Sequence, residues 1–197
     1  MHLADAGATF VEGQEVKIHT PSDATRLGIE TVYQDLALCD NLDVVANMFL
    51  GRELADPGGV GPLQELDMEK QALDVLAGLQ VTTIQSVRQT VAALSGGQRQ
   101  SVSISRAVMW SAKVVILDEP TAALGVAQTA QVLALIKQLR EQGLGVVVIT
   151  HNIREVFEVA DRIIVLRLGR RVATFRHDET TPEEVVGAIM GARRQAA

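Results

Sequence analysis

Cysteine, aromatic residues and long apolar runs are all scarce in this chain of 197 residues. The single cysteine, Cys39, cannot form a disulfide within the chain, which argues against a disulfide-stapled fold and indicates a reducing compartment. The longest apolar runs, at 114–117 and 146–149, fall far short of the ~20 residues that a membrane-spanning helix needs. The N-terminal residues show no basic segment followed by an apolar run, so we expect neither a membrane span nor a signal peptide.

The rest of the composition is that of a folded domain. Hydrophobic residues make up 47% of the sequence and charged residues 21%, which excludes a disordered chain. The net charge is −6 and no basic stripe stands out, which argues against a nucleic-acid partner. The length predicts a single domain over residues 1–197 with its own core.

Strand-like and helix-like segments alternate along the chain, which predicts an α/β domain. Apolar runs at 114–117 and 145–150 predict strands that are buried on both faces, and 29–33 predicts another strand. The section 43–110 is predicted to be helical, with Asp43 as a helix cap. A loop rich in glycine and proline interrupts that section at 56–62, and residues 192–197 are predicted to be a frayed tail.

Two carboxylates, Asp118 and Glu119, directly follow the strand predicted at 114–117. Carboxylate oxygens are ligands that Mg²⁺ prefers, and a carboxylate can also polarise an attacking water. In this interpretation Asp118 helps to hold the cation and Glu119 acts on the water. The alternative is a solvated turn after a strand, because apolar strands that end in acids are common.

The segment 94–100 reads Leu-Ser-Gly-Gly-Gln-Arg-Gln and stands directly before a predicted helix. Ser95 can cap that helix, and Gly96 and Gly97 leave backbone N–H groups uncovered, as an anion site requires. An ordinary capped loop is the alternative. Taken whole, with the strand and acid pair behind it, the segment Ser95, Gly96, Gly97 and Gln98 with its flanks resembles the signature motif of ABC-type ATPases.

Further residues match elements of that family in the same order along the chain. Gln34 matches the Q-loop glutamine, which in the family senses magnesium and the attacking water and whose loop faces the membrane partner. His151 matches the switch histidine, which contacts the terminal phosphate. Either residue alone would be taken as structural. The match therefore implies catalytic roles for Glu119, His151 and Gln34 and a magnesium role for Asp118 and Gln34.

The segment 120–125 matches the D-loop with one departure. Ala123 and Leu124 fit the family pattern, whereas Gly125 stands where the family usually has aspartate. The substitution removes a carboxylate at the subunit seam. Signalling between subunits through this loop is therefore in doubt.

The resemblance implies a P-loop NTPase fold of the ABC ATPase type, with a mostly parallel sheet and an inserted helical subdomain at 43–110. It implies ATP and Mg²⁺ as cofactors, with ATP sandwiched in a head-to-tail homodimer against the partner's signature motif. It also implies transmembrane permease subunits as partners, and a periplasmic sugar-binding protein indirectly. Segments 28–38 and 121–126 are most similar to ATPase subunits of bacterial ribose- or fructose-type importers. Such a subunit is cytoplasmic and peripheral on the inner face of the plasma membrane.

The phosphate-binding P-loop of that family has no counterpart in this sequence. A P-loop needs a Gly-Lys pair, and none of the four lysines, Lys17, Lys70, Lys113 and Lys137, follows a glycine. The resemblance implies that the chain begins after the central P-loop strand. We therefore expect this chain alone to be inactive or nearly so, and prone to aggregation because strand edges are left unpaired.

Two other functions stay open. The chain could be a non-catalytic interaction module that caps ATP on an intact partner and docks on a permease. It could also be a non-transporter ABC ATPase of DNA repair or translation, although the compact insert and acidic charge argue against that class. Arg99 and Arg106 share one face of the helix after the signature, and we predict a solvated face for them. Tyr33 is predicted to pack in the interior.

Overall fold

The computed structural model describes residues 4–55 and 61–191. Contacts divide the chain into two compact units, Met1–Ile149 and Thr150–Ala197. The predicted tail at 192–197 and most of the glycine- and proline-rich loop lie outside the described residues. The single domain that we expect over 1–197 stays a prediction.

The described strands and helices alternate, which confirms the predicted α/β class. The strands are β1 Thr9–Val11, β2 Gln14–Val16, β3 Ile29–Val32, β4 Val114–Asp118, β5 Gly145–Ile149, β6 Arg162–Arg167 and β7 Arg170–Arg176. The α-helices are α1 Pro21–Arg26, α2 Val44–Phe49, α3 Glu65–Gly78, α4 Gly96–Val108, α5 Val126–Glu141, α6 Ile153–Val159 and α7 Pro182–Met190. Two 3₁₀ turns lie at Val91–Ala93 and His177–Glu179.

The first unit is built on a parallel sheet with strand order β3-β4-β5. Val115 and Leu117 on the middle strand have no exposed surface, and strands pair with β4 along both of its edges. Helices α2 to α4 lie in the connection from β3 to β4, and α5 lies in the connection from β4 to β5, as parallel pairing requires. The carboxyl ends of all three strands therefore meet at one edge of the sheet.

Strand β5 differs from its prediction as a strand buried on both faces. Val147 is 48% exposed and Ile149 is 50% exposed, while the alternate residues are half-buried. Among the residues that the structure describes, β5 pairs with β4 alone. One face and one edge of β5 are therefore open. A run of apolar residues reports that a strand can be buried, but not whether other elements cover it.

The helical section has its own hydrophobic core. Val44, Met48 and Phe49 of α2 are fully buried or nearly so, and they share this core with Met68 of α3 and Val102 of α4. Helix α2 begins as predicted at Asp43, whose Oδ1 accepts the Ala46 N–H at 2.7 Å. The helices predicted for this section are confirmed, and its standing as a separate subdomain stays a prediction.

The second unit carries its own small core. Strands β6 and β7 form an antiparallel hairpin whose turn residues, Leu168 and Gly169, both have positive φ angles of 49° and 73°. Ile163 and Val165 of this hairpin and Val185 of α7 are buried together. No helix among residues 4–55 and 61–191 is long and apolar enough to cross a membrane.

The open edge of β5 generates a prediction about solubility. Because a charged side chain on an edge strand opposes pairing with another chain, Val147→Lys should lower light scattering at high protein concentration by about twofold or more. Light scattering over a concentration series measures it. Leu73→Lys is the matched control, since Leu73 on α3 is 49% exposed. An equal fall for both variants would mean that overall surface hydrophobicity, and not the strand edge, drives association.

Candidate functional site

The register of the sheet brings three predicted site residues to one edge. Val32 lies opposite Leu117, so Gln34 leaves β3 at the level where β4 ends in Asp118 and continues to Glu119. Asp118 in turn lies opposite Ile149 at the end of β5. Ligands of open parallel sheets bind outside the carboxyl ends of the strands. The arrangement fits the predicted site, and the individual roles stay predictions.

The main chain holds Glu119 in an uncommon conformation. Its φ angle is 47°, in the left-handed region, which costs a residue with a side chain about 1 kcal/mol or more. The Glu119 N–H donates to the Ile149 carbonyl at 2.8 Å, and the Glu119 carbonyl accepts the Ala122 N–H at 3.0 Å. The position of Glu119 at the sheet edge is therefore fixed by hydrogen bonds from its own backbone.

The acid pair suits a magnesium ion that is bound together with a nucleotide better than one that is held by protein side chains alone. Asp118 and Glu119 are adjacent and half-buried. In the described part of the chain, no group of three or more His, Cys, Asp or Glu side chains could hold a metal. Mg²⁺ is commonly held by one or two carboxylates together with phosphate oxygens. Asp118, with the Gln34 amide at the same edge, meets that requirement.

The signature segment begins α4 with a capping box. The Ser95 hydroxyl accepts the Gln98 N–H at 3.4 Å, and the Gln98 Oε1 accepts the Ser95 N–H at 2.8 Å. The Gln98 Nε2 also donates to the Thr83 carbonyl. In the first turn of a helix the amide groups have no partner within the helix. Gly96 is exposed and supplies such an amide with no side chain over it, whereas Gly97 is buried.

The same two glycines are also required by packing. A Cβ atom at Gly96 would lie 2.9 Å from Leu124 Cδ2, and one at Gly97 would lie 3.0 Å from Gln128 Cβ and 3.2 Å from its Cγ. The start of α4 therefore approaches the D-loop and the first turn of α5 closely. The sequence pattern indicated only the exposed amides, because the contact with α5 depends on a distant segment.

The D-loop residues lead from Glu119 into α5. Ala123 has a φ of 60°, and the Leu124 N–H donates to the Thr121 carbonyl at 3.2 Å. Gly125 is the N-cap of α5 and offers no side-chain cap. The Gln128 Oε1 accepts the Gly125 N–H at 3.3 Å instead. Sequence reasoning missed Gln128, although its position three residues after an N-cap is that of a capping-box partner.

Arg106 and Arg99 do not form the solvated face that we predicted. Arg106 donates to the carbonyls of Ala37 at 2.9 Å and Leu36 at 3.1 Å, and burial lowers the pKa of its guanidinium. Arg99 donates to the carbonyls of Leu94 at 3.2 Å and Ala92 at 3.0 Å. The spacing correctly predicted one shared face, but that face is covered by the segment after β3, which contacts Arg106, and by the segment after α3, which contacts Arg99.

A cavity of about 170 Å³ lies beside the Q-loop. Its lining includes Tyr33, Met48, Arg52, Arg106 and Trp110. Tyr33 is 60% exposed, so its predicted interior packing is wrong: it stands beyond the last paired residue of β3. The Arg52 guanidinium lies 3.3 Å from Glu30 and 5.2 Å from the centre of the Trp110 ring.

His151 belongs to the second unit and is exposed. It directly precedes Asn152, the N-cap of α6, whose Oδ1 accepts the Arg154 N–H at 3.2 Å. The Asn152 Nδ2 donates to Glu155 Oε1 at 2.8 Å, and Glu155 is buried. The start of α6 therefore gives His151 a fixed place in its own unit, and its role as the switch histidine stays a prediction.

A comparison with family sequence patterns decides the class. The pattern described as "ABC transporter" matches residues 1–122, more than half of the chain. The chain belongs to this family.

Relatives of the chain carry the same class in their names. It is 47% identical to the fructose import ATP-binding protein FrcA of Rhizobium meliloti, over 96% of this chain and 74% of that protein. It is 44% identical to the xylose/arabinose import ATP-binding protein XylG of Sulfolobus acidocaldarius, over 93% of this chain and 72% of that protein. The ribose import ATP-binding protein RbsA 1 of Streptomyces avermitilis is 39% identical, but the chain spans only 35% of its length.

Solved ATP-binding cassettes share the fold. The ADP conformation of the cassette MJ1267 superimposes with a TM-score of 0.75 at 23% identity, over 96% of this chain and 75% of that one. A dimeric post-hydrolysis state of the cassette MJ0796 gives 0.69 at 24% identity, over 89% of this chain and 75% of that one. The predicted ABC ATPase fold is therefore confirmed, as is the predicted class of ATP-binding transporter subunit.

The packing of the signature glycines generates a stability prediction. Gly97→Ala should lower the free energy of unfolding by about 1 kcal/mol or more, because the new methyl group meets Gln128 Cβ, which cannot move away from its backbone. Urea denaturation measures it. Gly78→Ala is the matched control: a Cβ at Gly78 on α3 meets nothing within 4 Å. That substitution should raise stability by about a few tenths of a kcal/mol, since Gly78 is the last residue of α3. A gain at both positions would contradict the close approach of α4 to α5.

The departure at the D-loop generates a second prediction. Gly125 has φ −73° and ψ 164°, and a Cβ there meets nothing within 4 Å, so Gly125→Asp fits without strain. Its carboxylate should cap α5 and raise the free energy of unfolding by a few tenths to about 1 kcal/mol at pH 7. Gly125→Asn separates capping from charge, since it caps without the charge. No gain in urea denaturation for either variant would show that Gln128 already satisfies this helix start.

Proposed function

We propose that this chain is the ATP-binding subunit of a sugar importer and that its signature segment closes on a nucleotide held by a second cassette. The observation that carries the proposal is the start of α4. Ser95 caps the helix, the exposed Gly96 presents a bare amide there, and the Gln98 side chain bonds back to the Ser95 N–H. A helix N-terminus of this kind attracts the terminal phosphate of a nucleotide. The names of the relatives supply the sugar: fructose, xylose or arabinose, and ribose.

The sheet edge supplies the other half of the chemistry. Asp118 and Gln34 would hold Mg²⁺, which when bound offsets the negative charge of the phosphates. Glu119, fixed by its backbone bonds to Ile149 and Ala122, would accept the proton of the attacking water. His151 would contact the terminal phosphate. These four roles follow the family match, and the register of β3, β4 and β5 supports those of the three residues at the edge.

The phosphates themselves need a loop that these residues do not replace. No glycine precedes any lysine of the sequence, so the backbone cradle with its bridging lysine has no counterpart. A partner that carries that cradle would therefore hold the nucleotide, and this chain would cap it. This observation also favours the second candidate, a non-catalytic module that caps ATP on an intact cassette. The two candidates differ in whether Glu119 of this chain contributes to ATP turnover once the chain is paired with an intact cassette.

The permease is proposed to dock at the cavity beside the Q-loop. Tyr33 and Leu50 at this place are 60% and 46% exposed, and Trp110 and Arg52 form its wall. A pocket that combines exposed apolar side chains with charged and polar groups suits a short segment of another protein. Docking there would hold the chain at the inner face of the plasma membrane, and a periplasmic sugar-binding protein would act on it only through the permease.

The experiment mixes this chain with the intact relative FrcA and measures association by analytical ultracentrifugation with and without Mg-ATP. We expect association that requires ATP. Ser95→Asp should weaken it by about tenfold or more, because aspartate still caps the helix but places a carboxylate against the terminal phosphate. Ser95→Thr is the matched control, since it keeps both the cap and the neutral hydroxyl. Thermal unfolding of both variants should match that of the unchanged chain.

Two outcomes would contradict the proposal. Association that ignores ATP, or that Ser95→Asp leaves intact, would remove the signature segment from the interface. ATP turnover by the pure chain that Glu119→Gln abolishes would show that the chain has a complete site of its own. Little or no turnover by the pure chain is expected in either candidate function.

A further inference from the structure

The loop that carries Gln34 leaves the sheet with its carbonyl groups turned toward α4. Pairing ends at Val32, and Gln34 is exposed. Ala37 then adopts a left-handed φ of 48°, which an alanine does not favour by itself. A strained turn persists only when its surroundings hold it. The contacts of this turn therefore decide where Gln34 stands.

Helix α4 supplies those contacts. The two outer nitrogens of Arg106 donate to the carbonyls of Leu36 and Ala37, at 3.1 Å and 2.9 Å. The Ser103 hydroxyl, one turn earlier on α4, adds a longer bond of 3.4 Å to the Leu36 carbonyl. A planar guanidinium fixes two acceptors at once in a way that a single hydroxyl cannot. Arg106 therefore makes the main attachment of the turn after Gln34.

The far end of the loop is attached independently. Asn47 of α2 is fully buried; its Oδ1 accepts the Cys39 N–H at 2.7 Å and its Nδ2 donates to the Cys39 carbonyl at 3.0 Å. The Asp40 carboxylate meets Arg99 of α4 at 3.2 Å. Loss of Arg106 would therefore free the part of the loop nearest Gln34 while its far end stays in place.

We propose that Arg106 is a positioning residue that fixes the Gln34 loop to the signature helix, so that the docking cavity and the start of α4 move as one body. The inference rests on the proposed function for its consequence at the permease. The same guanidinium lines the cavity beside Tyr33 and Trp110. One side chain of α4 thus shapes the docking surface and holds the loop of a predicted catalytic residue. Neither its pattern in the sequence nor the family match assigns it that role.

The experiment compares the full chain with Arg106→Ala and Arg106→Lys. Limited proteolysis should cleave the chain within residues 34–38 about tenfold faster in Arg106→Ala, with cleavage in α3 unchanged, because the turn loses both bonds to its carbonyls. Arg106→Lys should lie between, because an ammonium group can hold one carbonyl but not both in the same geometry. Trp110 is the single tryptophan, so its quenching by acrylamide should rise in Arg106→Ala and report the altered cavity.

Binding to a permease separates positioning from mere stability. The probe is the membrane-spanning part of the fructose importer that FrcA serves, purified in detergent without FrcA, with affinity read by interferometry. If the loop occupies its docked position a tenth of the time, affinity falls by about tenfold, and we expect that loss for Arg106→Ala. Arg88→Ala is the control for the loss of a paired arginine: Arg88 bonds Glu69 at 2.9 Å and Glu65 at 3.2 Å on α3, lies 3.6 Å from Asp43 at the start of α2, and does not touch the turn after Gln34.

The outcomes distinguish this inference from the proposed function. If the unchanged chain does not bind the permease, the docking proposal fails, and the proteolysis data alone decide whether Arg106 fixes the loop. If the unchanged chain binds and Arg106→Ala binds equally well, the positioning role is overturned. An unchanged rate of cleavage at 34–38 overturns it as well. Equal losses for Arg106→Ala and Arg88→Ala would reduce Arg106 to a general stability role. If Arg106→Ala does not fold, Arg106→Lys and Ser103→Ala carry the same comparison.

Discussion

The close approach of α4 to α5 at Gly97 is the constraint on which the site depends. With Gln128 Cβ only 3.0 Å from where a side chain would begin, the first turn of α4 can carry no side chain on that face. Gly97 is buried by that contact, so the residue that presents an uncovered amide to an anion is the exposed Gly96. At Gly96, packing against Leu124 and an uncovered amide both favour glycine. The contact also ties the signature segment to Leu124 and to the N-cap at Gly125.

Helix α4 joins the motifs of the first unit. Its first turn packs on the D-loop, and its last turns hold the carbonyls after Gln34 through Ser103 and Arg106. Eight of its residues are buried, so contacts surround it on most sides. A helix held this tightly transmits a displacement at one end to the other, because packed interiors resist compression. The signature segment and the Q-loop are therefore parts of one mechanical element, while the sheet edge supplies a fixed reference through the register of β3 and β4.

Local features of the site could be predicted from the sequence, and tertiary ones could not. The caps at Asp43 and Ser95 depend on residues within three positions, so their pattern was sufficient. The apolar run at 114–117 was enough to place Asp118 and Glu119 at the end of a strand, whereas the parallel sheet was expected only from the family resemblance and its register came from the structure. Arg106 was misjudged because its partners, Leu36 and Ala37, lie about seventy positions away in the sequence. Helical spacing cannot show contacts with such distant residues. The openness of β5 was missed for the same reason, since an apolar run says nothing about what covers it.

The conformation of Glu119 places a trade-off between stability and chemistry at one residue. A glycine or asparagine would occupy its left-handed φ of 47° at a lower conformational cost. Glutamate at this bend therefore has a higher conformational free energy than glycine or asparagine would have. It is retained where the predicted reaction needs a base. Selection for thermostability alone would draw this position away from glutamate. Chains of this family that have lost the need for hydrolysis would then be recognisable by glycine or asparagine in place of glutamate after the strand that corresponds to β4.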